Sequence, residues 1–392
     1  IEKKKEKKNP PLLYNLAELQ NDCSKYFKIS PDETLRIVQE LYEKKMTTYP
    51  RTDARVLSTA VAKEIHKNIG GLRNYALAAP FAKEVLEQGT YKNIAKTRYV
   101  NDKQITDHYA IIPTGQGLNN LAGLAPTAAK VYEVIVRRFL SIFYPPAVYQ
   151  KFSLTLQVKE ESFFASFKVL IQEGYLKVTD FSFKKENTAQ KEDKENENES
   201  ADEKCDAELT NLLTHLKKGD TLSVDTYEIK EGETSPPKRY TSGSIILTME
   251  NAGQFIEDEE LRAQIKGSGI GTSATRAEIL KKLVNIEYLA LNKKTQVLTP
   301  TQMGEMIYDV VSDSIRPLLN PALTASWEKG LTMVADGVIT PDDYMGKLTD
   351  FVGRRTVAVR GLNNQGVLWR QFQATEEFYQ KKQKQSNAKN KE

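Results

Sequence analysis

The apolar periodicity of this chain changes character at Pro145–Pro146, and that change limits the folds open to it. Upstream, apolar residues recur at helical spacing. Ser30 is placed to cap a helix with Pro31 in its first turn and Glu33 as the third-position partner, and Leu35, Val38, Leu41 and Tyr42 share one face. Leu12 to Cys23 reads as a shorter amphipathic helix ahead of it. Ser58 opens another, with Val61, Ile65 and Ile69 aligned and Gly70–Gly71 at its end. Pro126 begins a further helix carrying Val131, Val134, Ile135, Phe139 and Ile142. Downstream the period is two: Phe152, Leu154, Leu156 and Val158 alternate with polar residues, as do Phe163, Ala165, Phe167 and Val169, with Glu160–Glu161 at the turn. That is the pattern of antiparallel strands. Lys184 to Cys205 is Lys, Glu, Asn and Asp with almost nothing apolar, so it cannot bury a core and is expected to be disordered. Leu209–Leu216 reads as a short helix, and Leu222, Val224 and Thr226 as one more strand. Beyond Pro236–Pro237 the helical spacing returns. A small hairpin over Tyr288–Thr299, turning at Asn292–Lys294, precedes a helix from Thr301 to Val311, which suggests a winged-helix-like unit.

The expected architecture is therefore multidomain α+β. A charged N-terminal tail covers 1–11 and a helical domain 12–145. A β-rich segment covers 146–236 with an acidic insert at 184–205, a helical winged-helix-like domain covers 237–353, and a basic, poorly structured tail covers 354–392. A chain of 392 residues has room for about two to four such domains. No apolar run approaches the roughly 20 residues of a helical membrane span. The start, Ile1 to Lys8, is charged throughout and is no signal peptide; without an initiating Met the chain is expected to be a fragment. Two distant cysteines, Cys23 and Cys205, exclude a disulfide framework and a zinc module and favour a reducing, cytosolic setting. The net charge of +4 does not demand nucleic acid, but the acidic residues concentrate at 186–206 and leave a more basic remainder suited to phosphate.

Chemistry is concentrated first at Thr47–Ser58. A residue before proline is driven out of helical geometry, so Tyr49, before Pro50, should sit on a loop just past a helix, with Arg51 and Arg55 nearby. A free phenol has a pKa near ~10 and is a weak nucleophile at neutral pH. Adjacent positive charge favours the phenolate and stabilises charge developing on phosphoryl oxygens, and a guanidinium such as that of Arg51 can grip two of them. A packed loop tyrosine with two solvated arginines explains the same residues. His108, between Asp107 and Tyr109, could orient a phosphate or relay a proton, or be structural. Gly267–Arg276 is a glycine-rich turn into a helix, where Thr272, Thr275, Arg276 and backbone N–H groups could hold a phosphate, or merely cap the helix. Lys238–Arg239–Tyr240 pairs two cations with a ring that could stack on a base. No Gly-x4-Gly-Lys-Ser/Thr phosphate loop is present, which suits a reaction that conserves backbone bond energy in a phosphotyrosine and needs no ATP.

The order of these motifs carries more than any one of them. Leu16-Ala-Glu-Leu-Gln20, Leu41-Tyr-Glu43, Thr48-Tyr-Pro-Arg-Thr-Asp53, Asp107-His-Tyr-Ala-Ile-Ile-Pro-Thr114, Pro237-Lys-Arg-Tyr-Thr241, Gly269-Ile-Gly-Thr272, Ala274-Thr-Arg276 and Trp327-Glu328 follow one another along the chain. From about Pro11 to Val352 the sequence resembles the type IA DNA topoisomerases, and among them the bacterial topoisomerase III branch. The resemblance implies an incomplete ring: a helical gate domain bearing the tyrosine, an antiparallel β arch and a DNA-binding base. It implies that Tyr49 forms a transient 5′-phosphotyrosyl bond with single-stranded DNA, that Arg51 contacts DNA at the cleavage point, and that His108 is the active-site histidine. The Gly269–Arg276 stretch, with Thr272, Thr275 and Arg276, would be part of the single-strand binding groove, and Lys238 and Arg239 are DNA-binding candidates in the base. The resemblance also implies Mg2+, held by a glutamate and an Asp-x-Asp pair in a Toprim domain that nothing before Tyr49 could supply. This chain alone is thus expected to bind single strands weakly and not to complete cleavage, passage and religation. A monomeric bacterial cytoplasmic enzyme near the nucleoid is implied, with no membrane partner and a helicase partner left open. Tyr109 and Ser273 depart from the family, which more often has histidine and proline there. A tyrosine recombinase is disfavoured because Tyr49 precedes the basic residues; a non-catalytic single-strand-binding module is the other alternative.

Overall fold

The computed structural model describes residues 1–183, 207–229, 231–265 and 269–389. The acidic stretch at 184–205 lies outside them. The chain divides into two interleaved compact units: Ile1–Tyr14, Val38–Pro50 and Ala54–Pro237 in the first, Asn15–Ile37, Arg51–Asp53 and Lys238–Glu392 in the second. The helical stretch read from sequence as 12–145 is thus shared between them.

The first unit is built on α5 (Pro126–Ser141) and a three-stranded antiparallel sheet of order β1 (Glu2–Lys8), β2 (Ala147–Val158), β3 (Glu161–Gln172). Helix α5 is buried almost all round; Val131, Val134, Ile135, Phe139 and Leu140 are inaccessible. Its buried charges are matched internally. Arg137 Nε donates to Glu133 at 2.6 Å, Arg137 Nη1 donates to the Val178 carbonyl at 3.0 Å, and Glu133 also accepts from Ser182. Helices α3 (Thr59–Gly71) and α4 (Ala79–Gln88) complete the helical part, α3 capped by Ser58, which accepts from Val61 N at 3.2 Å.

Strands β2 (Ala147–Val158) and β3 (Glu161–Gln172) form the expected hairpin. Residues 2–8 correct the reading of a free charged tail: they form β1 (Glu2–Lys8), paired along β2 from Glu2↔Ser153 to Lys8↔Ala147. The reason is the open hydrogen-bonding edge of β2, which an exposed lysine-rich segment can occupy because charged side chains are tolerated on an edge strand. One sheet face is covered by α6 (Ala207–His215), with Phe152, Leu154 and Leu213 as its core. Residues 222–226 form no strand.

In the second unit α1 (Leu16–Phe27) packs on α7 (Ser242–Glu250), so closely that a Cβ on Gly243 would lie 2.7 Å from Asn21 Cα. Ala17, Ile246, Leu280 and Leu298 form one core cluster, drawing in α9 (Arg276–Asn285) and the hairpin β4 (Leu289–Leu291)–β5 (Leu298–Pro300). A second cluster, Ile256, Ile265 and Ala325, joins α8 (Glu259–Ile265) to α11 (Pro321–Ala335). Helix α10 (Gln302–Ile315) follows the hairpin as expected, capped by Thr301. Residues from 354 onward correct the expectation of an unstructured tail. Helix α12 spans Pro341–Arg360 and α13 spans Gln365–Lys389. Leu368, Phe372, Thr375 and Tyr379 are half-buried at helical spacing, a stripe that the basic composition masks. Tyr379 Oη donates within reach of the Pro300 carbonyl at 3.0 Å and Glu305 Oε1 at 2.9 Å. Helix α2 (Pro31–Glu43), whose Glu33 N donates to Ser30 Oγ at 3.1 Å, carries the chain from the second unit into the first.

Candidate active site

Helix α2 ends at Glu43, and the turn after it puts Lys45 at φ +59°. The chain then runs extended past Tyr49 because it pairs with residues 110–114. Thr47 bridges Pro113, Thr48 N donates to the Ile112 carbonyl at 3.0 Å, and Thr114 N donates to the Met46 carbonyl at 3.0 Å. The Thr48 hydroxyl locks this register from the side: it donates to the Ala110 carbonyl at 3.0 Å and accepts from Ile112 N at 2.9 Å. Gly117, at φ +68°, permits the return turn; a Cβ there would lie 2.3 Å from the Lys44 carbonyl oxygen.

This ladder brings together two residues 59 positions apart. The rings of Tyr49 and His108 have centroids 4.4 Å apart, tilted by 40°. Tyr42, the last aromatic of α2, meets Tyr49 edge-on at 5.5 Å. Sequence periodicity put Tyr42 on the buried face of α2, yet it is 40% exposed, because it belongs to an aromatic wall and not to the core. A cleft of about 510 Å³ opens here, lined by Tyr42, Lys45, Thr47, Tyr49, His108 and Tyr109 among others. Burial pushes the Tyr109 phenol above its ordinary value, so it stays protonated at neutral pH. Thr47 Oγ1 is buried on this wall without a hydrogen-bond partner among the described residues. Lys45 was not singled out from sequence, and Thr48 and Tyr42 appeared there only as members of motifs, without a role at the site. Their signal is only their nearness to Tyr49, since the ladder that gives them roles comes from a distant segment.

The second unit contains a separate polar cluster around the segment Arg51–Asp53. Arg51 is exposed, Thr52 is buried, and the Thr52 carbonyl accepts Leu16 N at 3.1 Å. Arg276 is 1% exposed, and its Nη1 sits 3.0 Å from Asp53 Oδ1 and 3.8 Å from Glu250 Oε1, while Nε donates to the Ile270 carbonyl at 3.2 Å. Asn15 caps α1 by accepting Glu18 N at 2.9 Å, and its Nδ2 donates to Glu250 Oε1 at 2.6 Å and to the Asp53 carbonyl at 3.2 Å. Burial raises the Glu250 carboxyl above its ordinary value, against the pull of the Arg276 guanidinium. Arg276, expected from sequence among the phosphate contacts, is internal, with its cation engaged by carboxylates. The turn preceding α9 aims it inward. Gly269 at φ +68° lets that turn pass within bonding distance of α7, where Ile270 N donates to the Met249 carbonyl at 2.8 Å. Asn15 was findable as the cap of an Asn-x-x-Glu start; Asp53 and Glu250 carry no local signal of pairing with Arg276.

The remaining predicted residues are exposed. Lys238 and Arg239 lie on the stretch leading into α7, and Tyr240 beside them is 46% exposed. Thr272 and Thr275 face solvent, with their hydroxyls 3.1 Å apart.

A family model described as DNA topoisomerase matches residues 1–346. DNA topoisomerase 3 of Bacillus licheniformis is 32% identical over 367 residues, covering 93% of this chain and 47% of that protein. The Bacillus subtilis protein of the same name is 33% identical over 341 residues, 86% of this chain and 43% of its own length. This chain thus spans just under half the length of these curated relatives. Its fold is similar to that of full-length topoisomerase I from Thermotoga maritima, with a TM-score of 0.56 at 20% identity, over 90% of this chain and 51% of that one.

Proposed function

This chain belongs to the type IA DNA topoisomerases, with topoisomerase III relatives, and from that premise we infer that it supplies the nucleophile of an ATP-independent strand-passage reaction on single-stranded DNA. The carrying observation is Tyr49 on an extended loop at a cleft, its ring against that of His108 at 4.4 Å.

The chemistry follows from a phenol at that place. Tyr49 Oη attacks a backbone phosphorus and gives up its proton; the bond from phosphorus to O3′ breaks, and the departing O3′ takes up a proton. The 5′ phosphate is then esterified to Tyr49 and the strand carries a free 3′-hydroxyl. Religation is the reverse attack by that hydroxyl on the phosphotyrosine. No redox change and no nucleotide hydrolysis is involved, which makes the enzyme an isomerase. His108, its ring against that of Tyr49, would orient the phenol and move its proton. Lys45 adds a cation to the cleft. Arg51, two residues along the chain and exposed, would grip the phosphoryl oxygens, where a bidentate guanidinium stabilises developing charge. Exposed Lys238, Arg239, Thr272 and Thr275 would contact phosphates further along the strand. A bacterial cytoplasmic enzyme acting as a monomer fits this reading.

The Mg2+ implied by the family does not fit residues described here. Among the described residues no three His, Cys, Asp or Glu side chains gather to hold a metal.

The test is denaturant trapping with the full-length gene product and a single-stranded oligonucleotide labelled at either end. The expected adduct retains the 3′-end label, because the downstream fragment carries the 5′ phosphate, and Tyr49→Phe forms none. An adduct that persists in Tyr49→Phe overturns the assignment, and one that keeps the 5′-end label points to recombinase chemistry. A wild type that forms no adduct favours the binding-module alternative.

A further inference from the structure

The sheet of the first unit has one face covered and one open. On the covered face Phe152, Leu154 and Phe167 meet α6. On the open face the strand register places Lys4 opposite Lys151, and Lys151 opposite Lys168. Three ammonium groups therefore stand in a single row across three strands spaced about 4.8 Å apart. Like charges directly opposite one another destabilise a sheet, so such a row is unfavourable unless something negative lies over it. The rows on either side supply only part of the compensation: Glu6 approaches Lys168 at 3.4 Å, and Glu2, opposite Ser153, shares the face on the other side. Among the described residues no carboxylate comes within ion-pairing distance of Lys4 or Lys151.

The neighbours of this row are suited to a nucleic-acid strand. On the same face, Tyr149 lies beneath the Lys168 ammonium at 4.7 Å. Toward the hairpin tip come Ser153 and then Phe164, which is 78% exposed. A line of cations flanked by a hydroxyl and a bare aromatic ring matches a chain of phosphates with accessible bases. A bare ring distinguishes among polyanions, since only an unpaired base offers a face to stack on it.

We propose that the open face of β1-β2-β3 is a single-stranded DNA contact surface in which Lys4 and Lys151 bind successive phosphates, Lys168 is held beside them by Glu6, and Phe164 stacks on a base. It rests on the proposed function only in naming DNA as the strand, and it requires no cleavage. It is additional to the groove residues 238–276 and to the Tyr49 cleft.

The experiment is equilibrium binding of the full chain to a fluorescent oligo(dT) across a salt series. Each phosphate neutralised on a single strand contributes about 0.7 to the slope of log K against log salt, so replacing Lys4 and Lys151 by Gln should shrink that slope by about 1.4. Phe164→Ala should weaken oligo(dT) binding about tenfold with the slope unchanged, and should not alter binding to duplex DNA. Tyr49→Phe should bind with the wild-type slope, so loss of the cleavage reading leaves this readout intact. Far-UV circular dichroism and melting check the fold; should the double variant fail to fold, Lys151→Gln alone should lower the slope by about 0.7. An unchanged slope in a folded lysine variant overturns the proposal and leaves the row a structural feature satisfied within the chain. Equal losses on duplex and single strand, with Phe164→Ala silent, overturn the single-strand assignment.

Discussion

Replacing Arg276 by Met separates two roles that one arginine in a glycine-rich turn can have. If it were a phosphate contact on the surface, the change would weaken DNA binding and leave stability alone. The structure places it inside, 1% exposed, between Asp53 at 3.0 Å and Glu250 at 3.8 Å. Removing one member of a buried ion pair typically costs about 3–5 kcal/mol, because the partner is left charged and desolvated. Asp53 is 40% exposed and is screened by water, so the lower end, about 3 kcal/mol, is appropriate. For a unit of this size each kcal/mol moves the midpoint about 2–4 °C, which gives a fall of about 6–12 °C.

The pH dependence carries a sign. Burial raises the Glu250 carboxyl, so the folded state holds its proton more tightly than the unfolded chain does. That group supports folding fully below its ordinary range and opposes it as pH rises through the raised value. The deficit of Arg276→Met should therefore be largest at neutral pH and shrink toward acid, where Glu250 is neutral. Adding Glu250→Gln should recover part of the loss at neutral pH and flatten this dependence. The assay is thermal unfolding with amide exchange at Leu16, whose N–H bonds the Thr52 carbonyl, and at Ile270, whose N–H bonds the Met249 carbonyl. Both amides should exchange faster in the variant as the 51–53 segment loosens. A midpoint within about 2 °C of the parent, with unchanged exchange and weakened DNA binding, would refute the buried-pair argument and return Arg276 to the phosphate contacts.

Two further perturbations test a hydrogen bond beside the site and a buried side chain of α1. Thr48→Val deletes a hydroxyl that bonds both the Ala110 carbonyl and Ile112 N, leaving two polar groups unmatched; a loss of about 2 kcal/mol is expected in denaturant unfolding, and a change under about 0.5 kcal/mol would show that the ladder does not depend on it. Cys23 is fully buried and burial pushes its thiol far above the ordinary range, so iodoacetamide at pH 8 should leave it unmodified in the folded chain and alkylate it in denaturant, with mass-mapped peptides as the readout.

The sequence alone determined whatever depends on short-range geometry. Ser58 and Thr301 capped two helices and the two-residue alternation over 152–169 made a hairpin, whereas the helix before Tyr49 ended at Glu43, short of the boundary read from Pro50. The order of motifs was sufficient to recognise the family. Charge misled wherever composition stood in for pattern: Glu2–Lys8 is an edge strand and 365–389 a helix because an open strand edge and a concealed apolar stripe supplied partners. Tertiary structure alone decided which groups meet. Tyr49 faces His108 because Thr48 fixes a register with residues 110–112. Asn15, Asp53, Glu250 and Arg276 converge from four separated stretches, and only that convergence turns an expected surface cation into a buried one. Such pairings depend on long-range packing and on the cost of burying charge, and neither is encoded in the spacing of residues near Tyr49, where the chemistry was first legible.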